Sequence, residues 1–547
     1  MKRRFLSYIG VVLCLCAHVA RAQAPATVPM GDPAYAAVDR LAAAGLVDTM
    51  LAGQRPYTRD EFADIVRQMR RNAAAAEPGR LDAGLQRTLD DLSARFVGSA
   101  TGGDSAAAPR TQLIDAIAIA GTTTNEQPRW VPPENGAGGA THAFVAPLAL
   151  EAQSQGRDAM QGSTMALESW HHFALGSHLM IQAHPRFRWS NDSSFSGEHT
   201  ASFEELSATT RISNVLVSVG RQHLEWGLSR HAKLFLSANG PGLDMIRVAS
   251  DRPWVLPGFL RMFGSNSATI FVADLGPRTY FPHTKLIGYK WSIEPTPDLE
   301  FGVSALNFMG GAGAPKASFL KRVANVLFFP SLHTGPFQFS NNMAGIEMQY
   351  RARALADARF YWEMDLDDFD FSRIESAVWK DDGAHVFGLS LPRLGAGGQL
   401  AATFEFHHTG TRFNRHAEFQ DGPTVDGFLL GEPLGPDADG GYAYFDWNAA
   451  NGGGATLELA DEAYRDNQYV ANGPGTSLVH IVQYIPQERR LRAMLTVRGP
   501  ELRSGLGVGV QAGIEHVNRF GFVDGATRDW ALANVVLTYR FGATGGF

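Results

Sequence analysis

Side chains suited to binding an acidic carbohydrate lie close together within residues 213–242. Arginine forms bidentate hydrogen bonds with carboxylates, and the apolar ring of tryptophan stacks on the face of a sugar. The candidate glycan-binding residues are Arg221, His223, Glu225, Trp226 and Asn239. The same residue types also form polar networks that hold the end of a strand in place. The spacing favours this structural interpretation, and ligand binding is kept as the alternative.

A second polar set lies in three later segments. Its members are Lys290, Glu347, Arg351, Arg359, Glu363 and Asp365. Paired carboxylates suggest glycosidase chemistry. The aspartates of residues 365–370 suggest calcium binding, although the spacing and the glycine of an EF-hand are missing. A network of structural ion pairs lining the inside of the fold is the favoured interpretation, and no metal site is predicted.

These residues must be positioned by β-strands, because apolar and polar side chains alternate through much of residues 111–541. In one such run Ile287, Tyr289 and Trp291 alternate with Gly288, Lys290 and Ser292. This period of two places the two sets of side chains on opposite faces of a strand. One face is apolar and the other is charged or small. A membrane barrel has this pattern, because its outer face meets lipid and its inner face lines the lumen.

The predicted fold class is an all-β, antiparallel transmembrane barrel with a small N-terminal α-helical bundle. Beyond residue 22 the sequence has no run of roughly 20 apolar residues, the length of a membrane-spanning helix. Residues 111–547 form the predicted barrel, and at roughly 24 residues for each strand and its connection they allow 16 to 18 strands, with about 18 expected. The sequence VVLTYRF near its end resembles the signal that the outer-membrane barrel assembly machinery reads.

Three long stretches, residues 239–266, 309–342 and 408–472, interrupt the alternation and are predicted to be extracellular loops, because periplasmic turns are short. They are rich in Gly, Asp, Asn and aromatic residues. This composition is compatible with binding sugars and is also ordinary for loops.

The first 22 residues have the three parts of a secretory signal. The run Lys2-Arg3-Arg4 is basic, residues 9–19 are mostly apolar, and Ala20-Arg21-Ala22 predicts cleavage after Ala22. Both cysteines of the chain, Cys14 and Cys16, lie inside this segment. The mature chain therefore has no thiol for a disulfide, a nucleophile or a metal site. No cofactor is predicted.

The charge of the chain argues against a nucleic-acid partner. The formal net charge is −7, and it becomes −11 when residues 1–22 are removed, because they include four basic residues and no acidic ones. A nucleic-acid-binding domain is normally basic. An exported, mildly acidic chain with alternating strands instead fits a protein of the outer membrane of a Gram-negative bacterium.

Residues 23–98 are predicted to form a helical bundle, followed by a linker of small residues at 99–110. Each of three helices has an apolar stripe at helical spacing. The stripes are Tyr35, Val38 and Leu41; Phe62, Ile65, Val66 and Met69; and Leu81, Leu85, Leu89, Leu92 and Phe96. Thr58 and Glu61 have the spacing of a capping box at the start of the second helix.

The chain resembles the Wzi family of capsule-assembly outer-membrane proteins at four places, which lie in order along most of the mature chain. They are YAAVDRLAAAGLVDTMLAGQRPYTRDEFADIV, VGRQHLEWG with LFLSANGPG, TYFPHTKLIGYKWSIEPTPDLEFGVSALN, and NNMAGIEMQYRAR with ARFYWEMDLDDF. The second of these, from residue 219 to residue 242, is the most specific.

The resemblance implies an 18-stranded barrel with the helical bundle at its periplasmic mouth. It also implies a lectin-like, non-enzymatic role in attaching or organising capsular or extracellular polysaccharide at the cell surface. The expected partners are that polysaccharide, outer-membrane lipid and, during biogenesis, the barrel assembly machinery. The protein is expected to be a monomer. The alternatives are a channel or porin for solutes or polysaccharide export and, second, an outer-membrane hydrolase.

Overall fold

A computed structural model gives the structure of most of the chain. It describes residues 25–75, 81, 83–97, 112–127, 129–131, 144–146, 161–176, 178–191, 199–327, 339–367, 377–394, 399–416, 419–449, 451–465, 468–471, 478–481, 486–500 and 505–541. The predicted leader, residues 1–22, and linker, residues 99–110, lie outside these ranges. So do Asp368 and Asp370 of the possible calcium site and the C-terminal residues 543–547.

Eighteen antiparallel strands form a closed barrel, which confirms the predicted fold class and strand number. They are β1 Gln112–Thr124, β2 Gly162–Leu175, β3 Leu179–Ser190, β4 His199–Ile212, β5 Val215–Gln222, β6 Leu243–Ser250, β7 Ser265–Asp274, β8 Lys285–Thr296, β9 Leu299–Met309, β10 Ser340–Ala352, β11 Ala358–Asp367, β12 Gly383–Leu394, β13 Leu400–Thr409, β14 Ala438–Asn448, β15 Gly454–Tyr464, β16 Glu488–Arg498, β17 Leu506–Asn518 and β18 Thr527–Arg540. Each strand pairs with the next, and β18 closes the barrel by pairing with β1, where Ala116 lies opposite Arg540.

The alternation along each strand separates a lipid-facing surface from the lumen. On β10, Ile346 and Met348 are 41% and 37% exposed, whereas Glu347 between them is 5% exposed. No other part of the barrel covers the outward side chains described here, because they contact lipid when the barrel is in the membrane. Inward residues such as Glu347 are buried by other parts of the chain, which fill much of the lumen.

The two ends of the barrel differ in their connections. Residues 213–214, 297–298 and 353–357 connect strands at one end, and residues 223–242, 310–339 and 410–437 connect strands at the other. Because periplasmic turns are short and extracellular loops are long, we assign the first end to the periplasm and the second to the cell surface. Among the described helices, none is both long enough and apolar enough to span a membrane.

Two of the three predicted long loops contain barrel strands, so those predictions were wrong in part. Strand β6 lies within residues 239–266, and β14 and β15 lie within residues 408–472. In β6 the inward Leu243 and Met245 are apolar, as is the outward Ile246. The alternation of polar and apolar residues therefore disappears, although the strand remains.

Residues Leu234–Leu236 form no strand of the barrel. Residue 236 instead forms a single β-bridge with Trp226. The apolar residues Leu234, Phe235 and Leu236 are buried because they pack in the lumen, not in a sheet.

The N-terminal part forms helices α1 Ala34–Ala43, α2 Arg59–Ala75 and α3 Ala83–Phe96. The predicted stripes form their common core, in which Val38, Leu41, Phe62, Val66 and Met69 are fully buried. At the start of α2 the Glu61 N–H donates a hydrogen bond to Thr58 Oγ1 at 3.1 Å.

Ion pairs attach these helices to the short-turn end of the barrel. Arg211 pairs with Asp60 at 2.6 Å, and Arg252 pairs with Asp64 at 3.1 Å. The helices therefore lie against the end that we assign to the periplasm.

Candidate functional site

Two segments of the chain enter the lumen from opposite ends and meet inside it. Residues 47–58, between α1 and α2, form the periplasmic stopper, and residues 223–242, between β5 and β6, form the surface stopper. They join as a two-residue antiparallel pair, in which Gln54 lies opposite Trp226 and Arg55 opposite Glu225. The Gly227 N–H also donates a hydrogen bond to the Gly53 carbonyl at 3.1 Å. The meeting point is thus held by main-chain hydrogen bonds.

The periplasmic stopper is held by acidic residues on the barrel wall. The N–H groups of Ala52 and Gly53 donate to the two carboxylate oxygens of Glu300 at 3.0 and 2.9 Å. A Cβ atom on residue 53 would lie 2.1 Å from Glu347 Oε1. Only glycine at this position lets the backbone approach the two carboxylates so closely.

The surface stopper is held in the same way from the other side. The first two of the consecutive N–H groups of residues 228–231 donate to Glu363, at 2.6 and 2.5 Å. The last two donate to Glu405, at 2.5 and 2.8 Å. Because both carboxylates are buried, these charge-assisted hydrogen bonds fix the turn firmly.

An apolar core covers the junction. Trp226 is 2% exposed, and its ring centroid lies 5.2 Å from that of Phe271 on β7. The remaining buried members come from both stopper and wall, and include Leu234, Phe235, Leu286, Leu306, Phe308, Met343, Val386 and Phe413. The lumen of this barrel is therefore packed partly like a soluble protein interior.

The sequence-predicted glycan-binding residues do not form one surface. Arg221 points outward, where it forms an ion pair with Asp244 at 2.8 Å. Glu225 pairs with Lys233 at 3.3 Å inside the lumen, and Trp226 has no accessible ring face for a sugar.

The last two candidates lie farther along the surface stopper. Asn239 is fully buried and donates from Nδ2 to the Leu429 carbonyl at 2.9 Å, which joins the stopper to the loop of residues 410–437. His223 is partly buried next to Gly242. Four of the five residues thus belong to the surface stopper, in agreement with the structural alternative for this stretch.

The second predicted polar set does face the lumen. Lys290 pairs with Glu347 at 2.5 Å, and Arg351 pairs with Asp357 at 3.1 Å. Glu347 lies opposite Glu363, and Arg351 opposite Arg359, as expected if β10 and β11 form a hairpin. Asp365, on the same inner face as Glu363, is 3% exposed. Glu363 accepts hydrogen bonds from the surface stopper, so its role here is to hold the chain.

One group that the sequence reasoning missed has the order of a catalytic triad. Ser229 Oγ lies 3.5 Å from His407 Nε2, and His407 Nδ1 lies 2.6 Å from Glu432 Oε2. Ser229 Oγ, however, donates to Glu405 at 3.1 Å. Ser229 is 1% exposed and His407 is fully buried, so no substrate carbonyl can approach the serine. The group therefore ties the surface stopper to the wall.

A second missed group is a buried ion network beside the first, on strands β15, β16 and β17. Arg492 pairs with Glu462 at 3.0 Å and with Glu515 at 3.3 Å, and Arg490 pairs with Glu488 at 2.8 Å. Alternation on β16 places both arginines on the inner face, but a single sequence does not show which strands bring their partners. Each buried arginine is satisfied by more than one carboxylate, which offsets its loss of hydration.

The surroundings of two titratable groups outside the barrel strands shift their pKa values. Burial lowers the pKa of His231 to about 3, so its ring is neutral as it stacks on Tyr442 with ring centroids 3.6 Å apart. Burial, with a smaller contribution from the nearby Asp251 carboxylate, raises the pKa of Glu61 to about 8.

Across the described residues, no group of three or more His, Cys, Asp or Glu side chains is arranged to hold a metal ion. The contacts of the two stoppers are hydrogen bonds, ion pairs and apolar packing within the chain itself. What this arrangement does chemically is to close the lumen.

Comparisons with known proteins give one family. The sequence profile described as capsule assembly protein Wzi matches residues 142–532, which is most of the chain. No match was found among curated protein sequences. Among solved structures, the chain is similar to Wzi of Escherichia coli, with 16% sequence identity and a TM-score of 0.66 over 94% of this chain and 99% of that chain. That protein is described as an outer-membrane protein involved in group 1 capsule assembly and as a carbohydrate-binding β-barrel.

Other solved barrels are less similar. OprD of Pseudomonas aeruginosa has 9% identity and a TM-score of 0.42 over 79% of this chain and 96% of that chain. OccAB4 of Acinetobacter baumannii has 9% identity and a TM-score of 0.41 over 79% of this chain and 98% of that chain.

Proposed function

The chain belongs to the Wzi capsule assembly family, and on this basis we propose that it is an outer-membrane barrel that holds polysaccharide at the cell surface. The observation that carries the proposal is the family match over residues 142–532, together with a full-length fold like that of the E. coli carbohydrate-binding barrel. The ligand class is a capsular or other extracellular polysaccharide. The protein binds this polymer and does not transform it.

The filled lumen supports a role at the outer surface. The surface stopper and residues 410–437 are joined by hydrogen bonds, including the Ser237 N–H to the Leu430 carbonyl at 2.8 Å. A polymer therefore meets the extracellular loops and not the interior. In this proposal Glu225, Trp226 and Asn239 position the surface stopper, and the glycan contacts lie above it.

The channel and hydrolase alternatives have less support. A solute would have to displace both stoppers, which are held by Glu300, Glu363 and Glu405. A hydrolase would need a reachable nucleophile, and Ser229 is enclosed.

The proposal includes the route to the membrane. The signal of residues 1–22 is cleaved after Ala22, residues 23–98 form the periplasmic helical bundle, and the barrel assembly machinery inserts residues 111–547. The mature protein works as a monomer and needs no cofactor.

Deletion of the protein tests the function directly. Synthesis of the polymer should continue while the polymer is released into the medium, and expression of the full chain should restore cell-bound polymer. If the cells keep the same amount of bound polymer without the protein, the proposal is wrong. A glycan array with the purified full chain then identifies the polysaccharide.

A further inference from the structure

A short helix outside the barrel wall has an apolar face that the described part of the chain leaves uncovered. Helix α4, Phe319–Val326, lies in the extracellular connection between β9 and β10 and begins at Ser318, whose Oγ accepts a hydrogen bond from the Lys321 N–H. Phe319 and Leu320 are 83% and 75% exposed, and Leu327 beyond its end is 61% exposed. These residues and Val323 follow the spacing of a single helical face.

The opposite side of α4 is anchored to the outer surface of the wall. Asn325 is 1% exposed. It exchanges hydrogen bonds with Asn342, and its Oδ1 accepts a hydrogen bond from Ser340 Oγ at 3.0 Å. Residues 340 and 342 have the same parity on β10 as Ile346, whose side chain faces lipid. The helix therefore lies on the lipid-facing side, at the extracellular end of the strand.

This attachment also explains polar residues at outward positions. Asn307 of β9 lies opposite Asn342 and donates a hydrogen bond to it. Both would be costly on a surface in contact with hydrocarbon, because lipid offers them no hydrogen-bond partner. With α4 fixed over them, the Asn342 amide exchanges hydrogen bonds with Asn325 of the helix, and the apolar face of the helix is directed away from the barrel.

The charge of this segment matches a membrane surface. Residues 310–327 include three basic residues, Lys316, Lys321 and Arg322, and no acidic residue, in a chain whose net charge is negative. All three are exposed. An exposed apolar face bordered by basic side chains is the composition of a helix that lies in the plane of a lipid interface.

We propose that α4 is an interfacial helix whose apolar face enters the outer leaflet beside the barrel, while Lys316, Lys321 and Arg322 contact the phosphate groups of anionic lipid. The partner is the lipid surface itself. This inference is independent of the glycan that the protein binds, since it depends only on the position of α4 on the barrel wall.

Spin labels on the full mature chain test this placement. The chain after Ala22 has no cysteine, so Leu320→Cys and Arg322→Cys each give a unique label site on the same exposed helix. In nanodiscs of phosphatidylcholine with phosphatidylglycerol, the label at 320 should collide severalfold more with oxygen than with a water-soluble nickel chelate. The matched label at 322 should show the reverse.

A charge variant separates the two parts of the proposal. Replacing Lys316, Lys321 and Arg322 by glutamine should make the label at 320 shallower in the anionic nanodiscs and change it little in pure phosphatidylcholine. Equal nickel accessibility at 320 and 322 would overturn the interfacial placement. Dipolar broadening between labels at 320 would assign the face to a second copy of the chain and overturn it too. No dependence on lipid charge would overturn the phosphate contact.

Discussion

The backbone N–H of Gly53 lies 2.9 Å from the carboxylate of Glu300, at the point where the periplasmic stopper enters the lumen. Glycine is required there because a Cβ atom would overlap Glu347, which is itself held by Lys290. Gly53→Ala should therefore displace residues 47–58 from the wall. Limited proteolysis of the folded protein should show faster cleavage in the N-terminal part.

Gly121→Ala is the matched control for this substitution. Gly121 lies on β1, and no atom of the described residues comes within 4 Å of the position that a Cβ atom would take there. The control should leave the cleavage rate unchanged. Equal cleavage rates for Gly53→Ala and the unsubstituted chain would show that the contact with Glu300 and Glu347 does not hold the stopper.

Glu363→Gln should loosen the surface stopper. The substitution removes the charge that accepts hydrogen bonds from residues 228 and 229, and hydrogen bonds to charged groups contribute about 1.5–3 kcal/mol each. Ala232, which is fully buried in the stopper, can report the change when it is replaced by cysteine. A thiol reagent should label the cysteine at position 232 at least about tenfold faster in the Glu363→Gln background. A decrease of about 1.4 kcal/mol in the free energy of opening the stopper raises the population of the open, reactive state by that factor.

The control for this experiment is Asp461→Asn, since Asp461 is a partly exposed carboxylate that pairs with Arg489 on the outer wall. The Ala232→Cys chain that also carries Asp461→Asn should be labelled at the same rate as the chain that carries Ala232→Cys alone. Loss of a hydrolytic activity on Glu363→Gln, with no change in labelling, would instead favour the hydrolase alternative.

Trp226→Ala should act on stability and not selectively on glycan binding. The ring is buried against Phe271 in the lumen core, and removal of a buried aromatic side chain costs about 3–5 kcal/mol. The thermal unfolding temperature should fall, and the more conservative Trp226→Phe should recover part of the loss. A glycan array in which Trp226→Ala loses binding while its stability is unchanged would return Trp226 to the binding site.

Conductance in planar bilayers should require removal of both stoppers. The intact chain should pass little current, because the two segments fill the lumen from both ends. Removal of residues 23–108 opens the periplasmic half, but the surface stopper stays bound to Glu363 and Glu405. Large conductance is expected only when residues 228–236 are also removed, and a large conductance of the intact chain would favour the channel alternative.

Raising the pH from 5 to 9 should weaken helix α2 through Glu61. The pKa of Glu61 is about 8 in the folded chain and 4.5 ordinarily, so between these values the folded state binds more protons than the unfolded state. Its stabilising effect is complete below pH 4.5 and is lost as the pH rises through 8. Amide hydrogen exchange in α2, corrected for intrinsic rates, should accelerate with pH.

Glu61→Gln should remove most of this pH dependence, since the amide does not ionise. Asp90→Asn on α3 is the control, and it should behave like the unsubstituted chain. If all three proteins lose protection equally with pH, another group controls α2.

The barrel was predictable where each strand has one polar and one apolar face. The run from Ile287 to Ser292 shows this, since Tyr289 faces outward and Lys290 faces the lumen. The rule failed for β6, because its inward residues Leu243 and Met245 pack against a stopper. A single strand does not show in its sequence that its lumen will be filled by apolar side chains.

The candidate site was predictable in part for the same reason. Parity on a strand is enough to place Glu347 and Glu363 in the lumen, and a hairpin is enough to make them neighbours. It does not show that Glu363 accepts hydrogen bonds from residues 228 and 229, more than 130 positions away. Likewise His407 and Glu432 meet only because the loop of residues 410–437 folds back into the barrel.

The pairing of Gln54 with Trp226 links the two sides of the membrane thermodynamically. One partner is connected directly to the periplasmic helices and the other to a loop that begins at the cell surface. A ligand that binds more tightly when this junction is intact must stabilise the junction by the same free energy, on whichever side it binds. Polymer bound outside and a partner bound to the helices inside would therefore change each other's affinity by equal factors.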